Sequence, residues 1–272
     1  ARFNEVERRV RSATPEGELP GAFQVTGLRP NFTREAYKAA VRQVRAYLEA
    51  GDVYQVNISQ RFQGQFQGRP WDLYRALRKA NPAPFAAYFQ CPEVTVLSAS
   101  PEQFLRVRDR QVESRPIKGT RPRGGTPEED QALARDLLSS AKDRAENVMI
   151  VDLLRNDLGR VCRIGSVQVP SLFALEAHPT VFHLVSTVTG ELAEGKDALH
   201  LLRAAFPGGS VTGAPKVRAM EIIEELEPVR RSIYCGSLGF LSFTGDMDTS
   251  IAIRTLFIMG GQVYFQVGGG VV

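Results

Sequence analysis

The last third of the chain leaves few choices of architecture. Residues 232–243, 249–259 and 262–267 read as strands, and only the turns at Thr244-Gly245-Asp246 and Gly260-Gly261 separate the later ones. Connections this short join antiparallel neighbours, because a parallel pair needs a crossover of a dozen residues or more. The runs 85–90, 94–98, 104–107 and 111–114 follow one another in the same manner, and further strands are expected at 53–62, 166–169 and 181–188. Helical patterns are inserted singly among them. Thr33 caps a helix over 34–50, with Tyr37, Ala40, Val41, Val44, Tyr47 and Leu48 on one stripe. Pro70 opens a helix that runs to Ala80, and Thr126-Pro127-Glu128-Glu129 is a capping box that opens another through Ser139. Helices are also expected over 142–158, 198–205 and 217–226, and residues 4–10 read as the end of one more. No period repeats and no low-complexity linker breaks the chain, so the sequence predicts one α+β domain.

With 272 residues, 43% of them hydrophobic, the chain can bury a sizeable core. Its net charge of +4 is spread along the sequence, which predicts neither a nucleic-acid stripe nor a membrane-anchoring helix. A small anionic substrate suits such a balance better than a polyanion. Cys91, Cys162 and Cys235 are far apart and odd in number, so neither a disulfide framework nor a zinc site is expected. No signal peptide and no apolar run of spanning length is visible, and the cytoplasm is the expected compartment. Both ends look cut, the last residues being Gly268-Gly269-Gly270-Val271-Val272, so a piece of a longer protein is expected.

Several residues invite chemistry. In Arg115-Pro116-Ile117-Lys118-Gly119-Thr120 a lysine sits between a proline that fixes the backbone and a glycine that permits close approach. Lys118 is either an exposed loop cation or a nucleophile whose pKa is lowered by burial and by Arg115, Arg121 and Arg123. Glu102, on a strand-linking turn, is either a general acid or a backbone cap. Asp143 and Glu146 lie three apart on one helix face beside a packed apolar run. They either pair with Lys142 and Arg144 or help to hold magnesium, which takes one or two carboxylates plus substrate oxygens. The polar side of the strand at 53–62, Gln55, Asn57 and Ser59, either lines a site or faces solvent. His183 lies on a strand, and Arg254 lies in an apolar run where Asp248 or an anionic ligand would be its partner. The loop from Phe206 to Lys216 is glycine-rich, but Ala214-Pro215 separate Gly213 from Lys216 and no Ser or Thr follows, so the P-loop pattern fails. Its glycines and hydroxyls still suit an anion near a helix N-terminus.

The runs 51–62, 98–104, 115–123, 144–161, 183–191, 206–220 and 245–255, taken together and in this order, resemble the chorismate-utilising enzymes over nearly the whole chain. The resemblance implies an antiparallel β-sandwich core with helices packed outside. It implies a chorismate-binding catalytic domain over 1–272 that lacks its N-terminal part and its C-terminal helix. Within the family, Gln55 stands where isochorismate- and salicylate-forming members carry a lysine base, and Lys118 stands where anthranilate-forming members typically carry alanine. The branch that forms 4-amino-4-deoxychorismate, on the route to para-aminobenzoate and folate, is therefore the expected one. Its alternatives are the anthranilate branch and a catalytically incomplete subunit that scaffolds a partner. The implied roles are Lys118 as nucleophile, Glu102 as general acid, and His183, Gly119 and Thr120 bordering the ring. Tyr234, Arg254, Ser210, Thr212 and the amides of Gly268, Gly269 and Gly270 would hold the enolpyruvyl carboxylate. Magnesium would be held by Glu146, with Asp143 behind it. No glutaminase nucleophile motif is visible, so a separate glutamine amidotransferase subunit is the expected source of ammonia.

Overall fold

The computed structural model describes residues 22–272 together with Glu5 and Arg8. Glu5 and Arg8 are helical, and the rest of the helix expected over 4–10 lies outside the described residues. In chain order the elements are β1 (Phe23–Pro30), α1 (Arg34–Glu49), β2 (Gln55–Gly68), α2 (Pro70–Ala80), β3 (Phe85–Gln90), β4 (Thr95–Ser100), β5 (Gln103–Arg108), β6 (Gln111–Ser114) and β7 (Ile117–Pro122). Then come α3 (Pro127–Ser139), α4 (Ala141–Gly159), β8 (Gln168–Ala177), β9 (Val181–Glu191), α5 (Ala198–Ala205), the short β10 (Gly213–Ala214) and α6 (Lys216–Leu226). The chain finishes with β11 (Ser237–Leu241), β12 (Met247–Ile251), β13 (Thr255–Met259) and β14 (Gln262–Val271).

Local chemistry sets the helix starts. Thr33 accepts from the Ala36 amide at 3.1 Å, and Thr126 and Glu129 form the reciprocal capping box that the sequence predicts. Ser140 caps α4 through the Asp143 amide, and Asp197 caps α5 through the amides of Leu199 and His200.

Among the described residues every strand pairing is antiparallel, in two seven-stranded sheets. The first runs β1-β2-β14-β13-β4-β3, with β10 also on β2; the second runs β11-β12-β5-β6-β9-β7, with β8 also on β9. Helices cover each sheet. Val44 of α1 and Ala219, Ile222 and Ile223 of α6 pack on Val56 of β2, while Leu73 and Tyr74 of α2 meet Leu97, Ile258 and Val263. On the second sheet, Ile150, Leu154 and Leu158 of α4 and Leu201 of α5 close over Leu105, Val107, Val112 and Val188, and Leu137 of α3 packs against Phe182 and Leu184. Burying such a side chain is worth about 1.5–3 kcal/mol.

Several sequence expectations change: the strand expected over 232–243 is confined to Ser237–Leu241, and those expected over 166–169 and 262–267 extend to Ala177 and Val271. The strand expected over 53–62 continues to Gly68, and its polar side is not solvated, since Gln55 and Ser59 are buried. Lys118 lies within β7 and not in a loop; the strand is bulged between Ile117 and Thr120, where Gly119 takes a φ of +91°. The single strand expected over 249–259 is two strands in different sheets. β12 belongs to the second sheet and β13 to the first, and the break at residues 252–254 places Arg254 in a left-handed conformation. The chain crosses between the same two sheets at Pro101-Glu102, between β4 and β5. The two crossings run side by side: the Ile251 amide donates to the Glu102 carbonyl at 3.1 Å, and the Ala99 amide to the Arg254 carbonyl at 3.1 Å.

Candidate active site

Glu102 and Arg254 are thus placed by the same device, a strand that leaves one sheet for the other. Pleated strands spend their backbone groups on neighbours, whereas a crossing turns a side chain toward the space where the layers join. Arg254 is exposed there, and among the described residues it makes no ion pair; its Nη1 donates to Asn81 Oδ1 at 3.0 Å. Asp248, the internal partner considered from the sequence, instead accepts from Gln103 Nε2 at 3.3 Å.

Glu102 is 5% exposed, and its Oε1 accepts from Ser210 Oγ at 2.6 Å. Burial raises the carboxyl pKa, opposed by the Ser210 hydrogen bond, by the Lys118 charge and by hydrogen bonding from the Ile117 backbone. Lys118 comes from the neighbouring edge of the second sheet. Its Nζ donates to the Ser210 carbonyl at 3.0 Å. Burial lowers the ammonium pKa, opposed by the charges of Glu102 and then Glu146. A buried acid drawn toward its neutral form beside a lysine drawn toward its neutral form is an arrangement for proton transfer and nucleophilic attack.

His183, on β9, is 2% exposed and its Nδ1 lies 2.9 Å from Thr120 Oγ1 on β7. Its pKa is pushed down to about 4, chiefly by burial and then by the charges of His178 and Arg254, so it is neutral at physiological pH. Gly119 has no room for a side chain: a Cβ there would lie 2.9 Å from Leu137 Cδ1 and 3.0 Å from Asp143 Cβ. That close approach brings α4 against β7, with Asp143 on Gly119 and Glu146 near enough for its charge to act on Lys118. Asp143 accepts from Arg121 Nη2 at 3.1 Å, and among the described residues Glu146 has Lys142, at 3.7 Å, as its one ion-pair partner. Among the described residues no group of three His, Cys, Asp or Glu could close around a metal. One weakly paired carboxylate fits an ion of the magnesium type, which keeps waters and substrate oxygens, and does not fit a cage made by protein alone.

The expected carboxylate-binding residues are only partly gathered. The glycine run is the end of β14, where Gly268, Gly269 and Gly270 pair with Ser59, Ile58 and Asn57 of β2. β13 accompanies β14 only as far as Leu256 opposite Phe265, so β13 leaves the outer edge of the glycine run free. The Thr212 hydroxyl is used internally, donating to the Gly208 carbonyl at 2.9 Å. Tyr234 follows the tight turn at Arg231 and runs beside the second crossing, where the Cys235 amide donates to the Ala252 carbonyl. Its phenol pKa is raised by burial. Tyr234 lines a cavity of about 460 Å³ with Phe206, Thr212, Glu227 and Arg231, which Lys118 does not line.

Two features escape reading from the sequence. Gln55 is fully buried with neither amide atom hydrogen-bonded, beneath Gly270, whose Cβ position is 3.0 Å from Gln55 Nε2. An unpaired buried amide costs about 1–3 kcal/mol and marks a place prepared for a polar partner. The second is the Glu227–Arg231 pair behind Ser210. Arg231 donates to Glu227, to the Val211 carbonyl at 2.7 Å and to the Asn57 carbonyl at 2.6 Å. Its only trace in the sequence is a Glu and an Arg four residues apart after a helix.

Residues 2–272 match the family of chorismate binding enzymes. Aminodeoxychorismate synthase component 1 of Klebsiella aerogenes is 56% identical over 244 residues, 90% of this chain and 54% of that protein. Anthranilate synthase component 1 of Cereibacter sphaeroides is 53% identical over 249 residues, 92% of this chain and 50% of that protein. The crystal structure of anthranilate synthase component I from Streptococcus pneumoniae TIGR4 superposes with a TM-score of 0.88 at 38% identity, covering 100% of this chain and 60% of that one. The chain spans about half the length of these curated relatives. A half-buried lysine and a buried glutamate joined through Ser210 where two antiparallel sheets meet, with a match that runs through every strand of both, have one reading: the chain belongs to the chorismate binding enzyme family.

Proposed function

We propose that the protein carrying this chain aminates chorismate at ring carbon 4, forming 4-amino-4-deoxychorismate with ammonia from a glutamine amidotransferase partner. The observation that carries the reading is the lysine at position 118, held with Glu102 on one residue, Ser210. The Lys118 amine attacks ring carbon 2, both ring double bonds move by one position, and the carbon 4 hydroxyl leaves as water with the proton of Glu102. Ammonia then enters at carbon 4, the double bonds return, and the Lys118 amine is released. An attack directly at carbon 4 has no use for a nucleophilic lysine.

His183, being neutral, borders the ring without adding charge, together with Gly119 and Thr120. Arg254, which meets no carboxylate among the described residues, takes the enolpyruvyl carboxylate with Tyr234 and the open edge of Gly268–Gly270. Glu146 would hold a magnesium ion, with Asp143 reaching it through water, and the ion supplies polarisation of the ring carboxylate. No helix among the described residues is long and apolar enough to cross a membrane, and all three cysteines are free; both fit the cytoplasm proposed as the site of the reaction.

The test is direct. The full-length polypeptide is incubated with chorismate, ammonium and magnesium, and the product is identified by mass and chromatography. Formation of 4-amino-4-deoxychorismate is expected. Anthranilate with pyruvate would place the protein in the other amination branch, and absence of chorismate binding by calorimetry would make it a scaffold.

A further inference from the structure

Family resemblance gives the Ser210 hydroxyl to the substrate's carboxylate, but in the structure that hydroxyl is already engaged. Ser210 Oγ donates to Glu102 Oε1 at 2.6 Å, while the carbonyl of the same residue accepts from Lys118 Nζ at 3.0 Å. The carbonyl's second acceptor position is filled by Asn57 Nδ2 at 3.2 Å. We propose that Ser210 is a positioning residue that seats the nucleophile and the acid against each other, one through its carbonyl and the other through its hydroxyl. The inference rests on the amination reading for its chemistry, though not for its geometry.

The turn that carries Ser210 is held from every side. A Cβ on Gly209 would lie 2.3 Å from Leu153 Cδ2 of α4, and one on Gly208 would lie 2.3 Å from Ile251 Cδ1 at the end of β12. Thr212 Oγ1 ties back to the Gly208 carbonyl, and Arg231 Nη1 grips the Val211 carbonyl at 2.7 Å. Behind the pair lies a space of about 10 Å³, lined by Glu102, Ser114, Gly208 and Ser210 among others, which leaves room for at most one water. Glu102 therefore has one oxygen fixed by a rigidly mounted hydroxyl. The fixed geometry matters for a proton that must travel twice. When the Lys118 nitrogen bonds to ring carbon 2 and the carbon 4–oxygen bond breaks, the Glu102 proton departs with water. The new secondary ammonium on Lys118 then gives a proton to the Glu102 carboxylate. When ammonia adds at carbon 4, that proton goes back to the Lys118 nitrogen as its bond to carbon 2 breaks, so the lysine leaves as a neutral amine, and the ammonium formed at carbon 4 reprotonates Glu102. A residue that holds both ends of this exchange keeps the two within reach, and a misplacement of about 1 Å in such a site costs on the order of 100-fold in rate.

The experiment compares Ser210→Ala and Ser210→Thr in the full-length protein, with ammonium as nitrogen source and the thermal midpoint of each variant recorded. Ser210→Ala is expected to lower kcat by about 10- to 100-fold while the KM for chorismate stays within about twofold. Ser210→Thr, which keeps the hydroxyl, is expected to restore most of kcat. A KM raised about tenfold or more at unchanged kcat would overturn the proposal and return the hydroxyl to the substrate; so would wild-type kcat in Ser210→Ala. A second readout does not depend on activity. The thermal shifts of Ser210→Ala and Glu102→Ala are expected to be non-additive, because each removes one end of the same buried bond. Additive shifts would refute the pairing. If the wild-type product proves to be anthranilate, or if no turnover is found, the amination reading fails while the thermal cycle still decides the role of Ser210.

Discussion

Removing the guanidinium of Arg231 tests how the site is braced. Its side chain is 12% exposed and its partner Glu227 3% exposed. In Arg231→Met, Glu227 keeps only the Ser59 amide at 2.8 Å and the Ser59 hydroxyl at 2.9 Å, and two backbone carbonyls, of Val211 and Asn57, lose their donor. Breaking a buried pair from one side costs about 3–5 kcal/mol, since an uncompensated charge stays behind. The cavity of about 460 Å³ beside Arg231 admits water to the stranded groups, which favours the lower end, about 3 kcal/mol. For a domain of this size that is a fall in Tm of roughly 6–12 °C. Scanning calorimetry of the full-length variant measures it. Replacing both partners, Glu227→Gln with Arg231→Met, removes the stranded charge and should recover about half of the loss. A fall below about 2 °C, or a double variant no better than the single one, would refute the claim that Arg231 is the brace.

Three other outcomes are expected. Because the His183 pKa is pushed from 6.5 down to about 4, the unfolded chain takes up that proton first. Its contribution is complete above pH 6.5 and is lost as pH falls toward 4, about 3 kcal/mol in all, so denaturant titrations of His183→Asn should show a flatter pH dependence in that window. Gly213 has a φ of +148° and a Cβ there would lie 2.1 Å from the Gln55 carbonyl oxygen, so Gly213→Ala should lose about 2 kcal/mol or more in the same titrations. Burial pushes the Cys162 thiol up to about 11 and the Cys235 thiol up to about 12, leaving half-buried Cys91 as the thiol of this chain that a maleimide should label first at pH 8, as read by peptide mass mapping.

What could be read in the sequence was local. The stripe of α1, the capping box of α3 and the tight turns between the late strands follow from spacing within a few residues, and the antiparallel arrangement follows from the turns. β1 was not legible, because seven of its eight residues are exposed and carry no alternation; it forms because β2 continues far enough to pair with it. β8 was seen only as far as residue 169, since its pairing with β9 shifts register twice and passes through Phe173 at a φ of +61°. The run around Arg254 looked like one strand because nothing in an apolar sequence announces a change of sheet. Lys118 and Glu102 were legible as members of a family pattern, but that they meet on Ser210 was not, because the contacts join residues 92 and 108 positions apart.

The two crossings between sheets have a consequence for how such a scaffold can change. They are tied to each other by main-chain bonds, from Ile251 to Glu102 and from Ala99 to Arg254, which use no side-chain atom. The main-chain frame at the crossings therefore does not draw on the side chains of residues 102 and 254. What can stand at each place is limited by that place alone: a β-branched residue would strain the left-handed backbone at 254, and a buried side chain at 102 has to answer the Ser210 hydroxyl. A fold built in this way separates the bonds that hold its two layers together from the groups that meet the ligand.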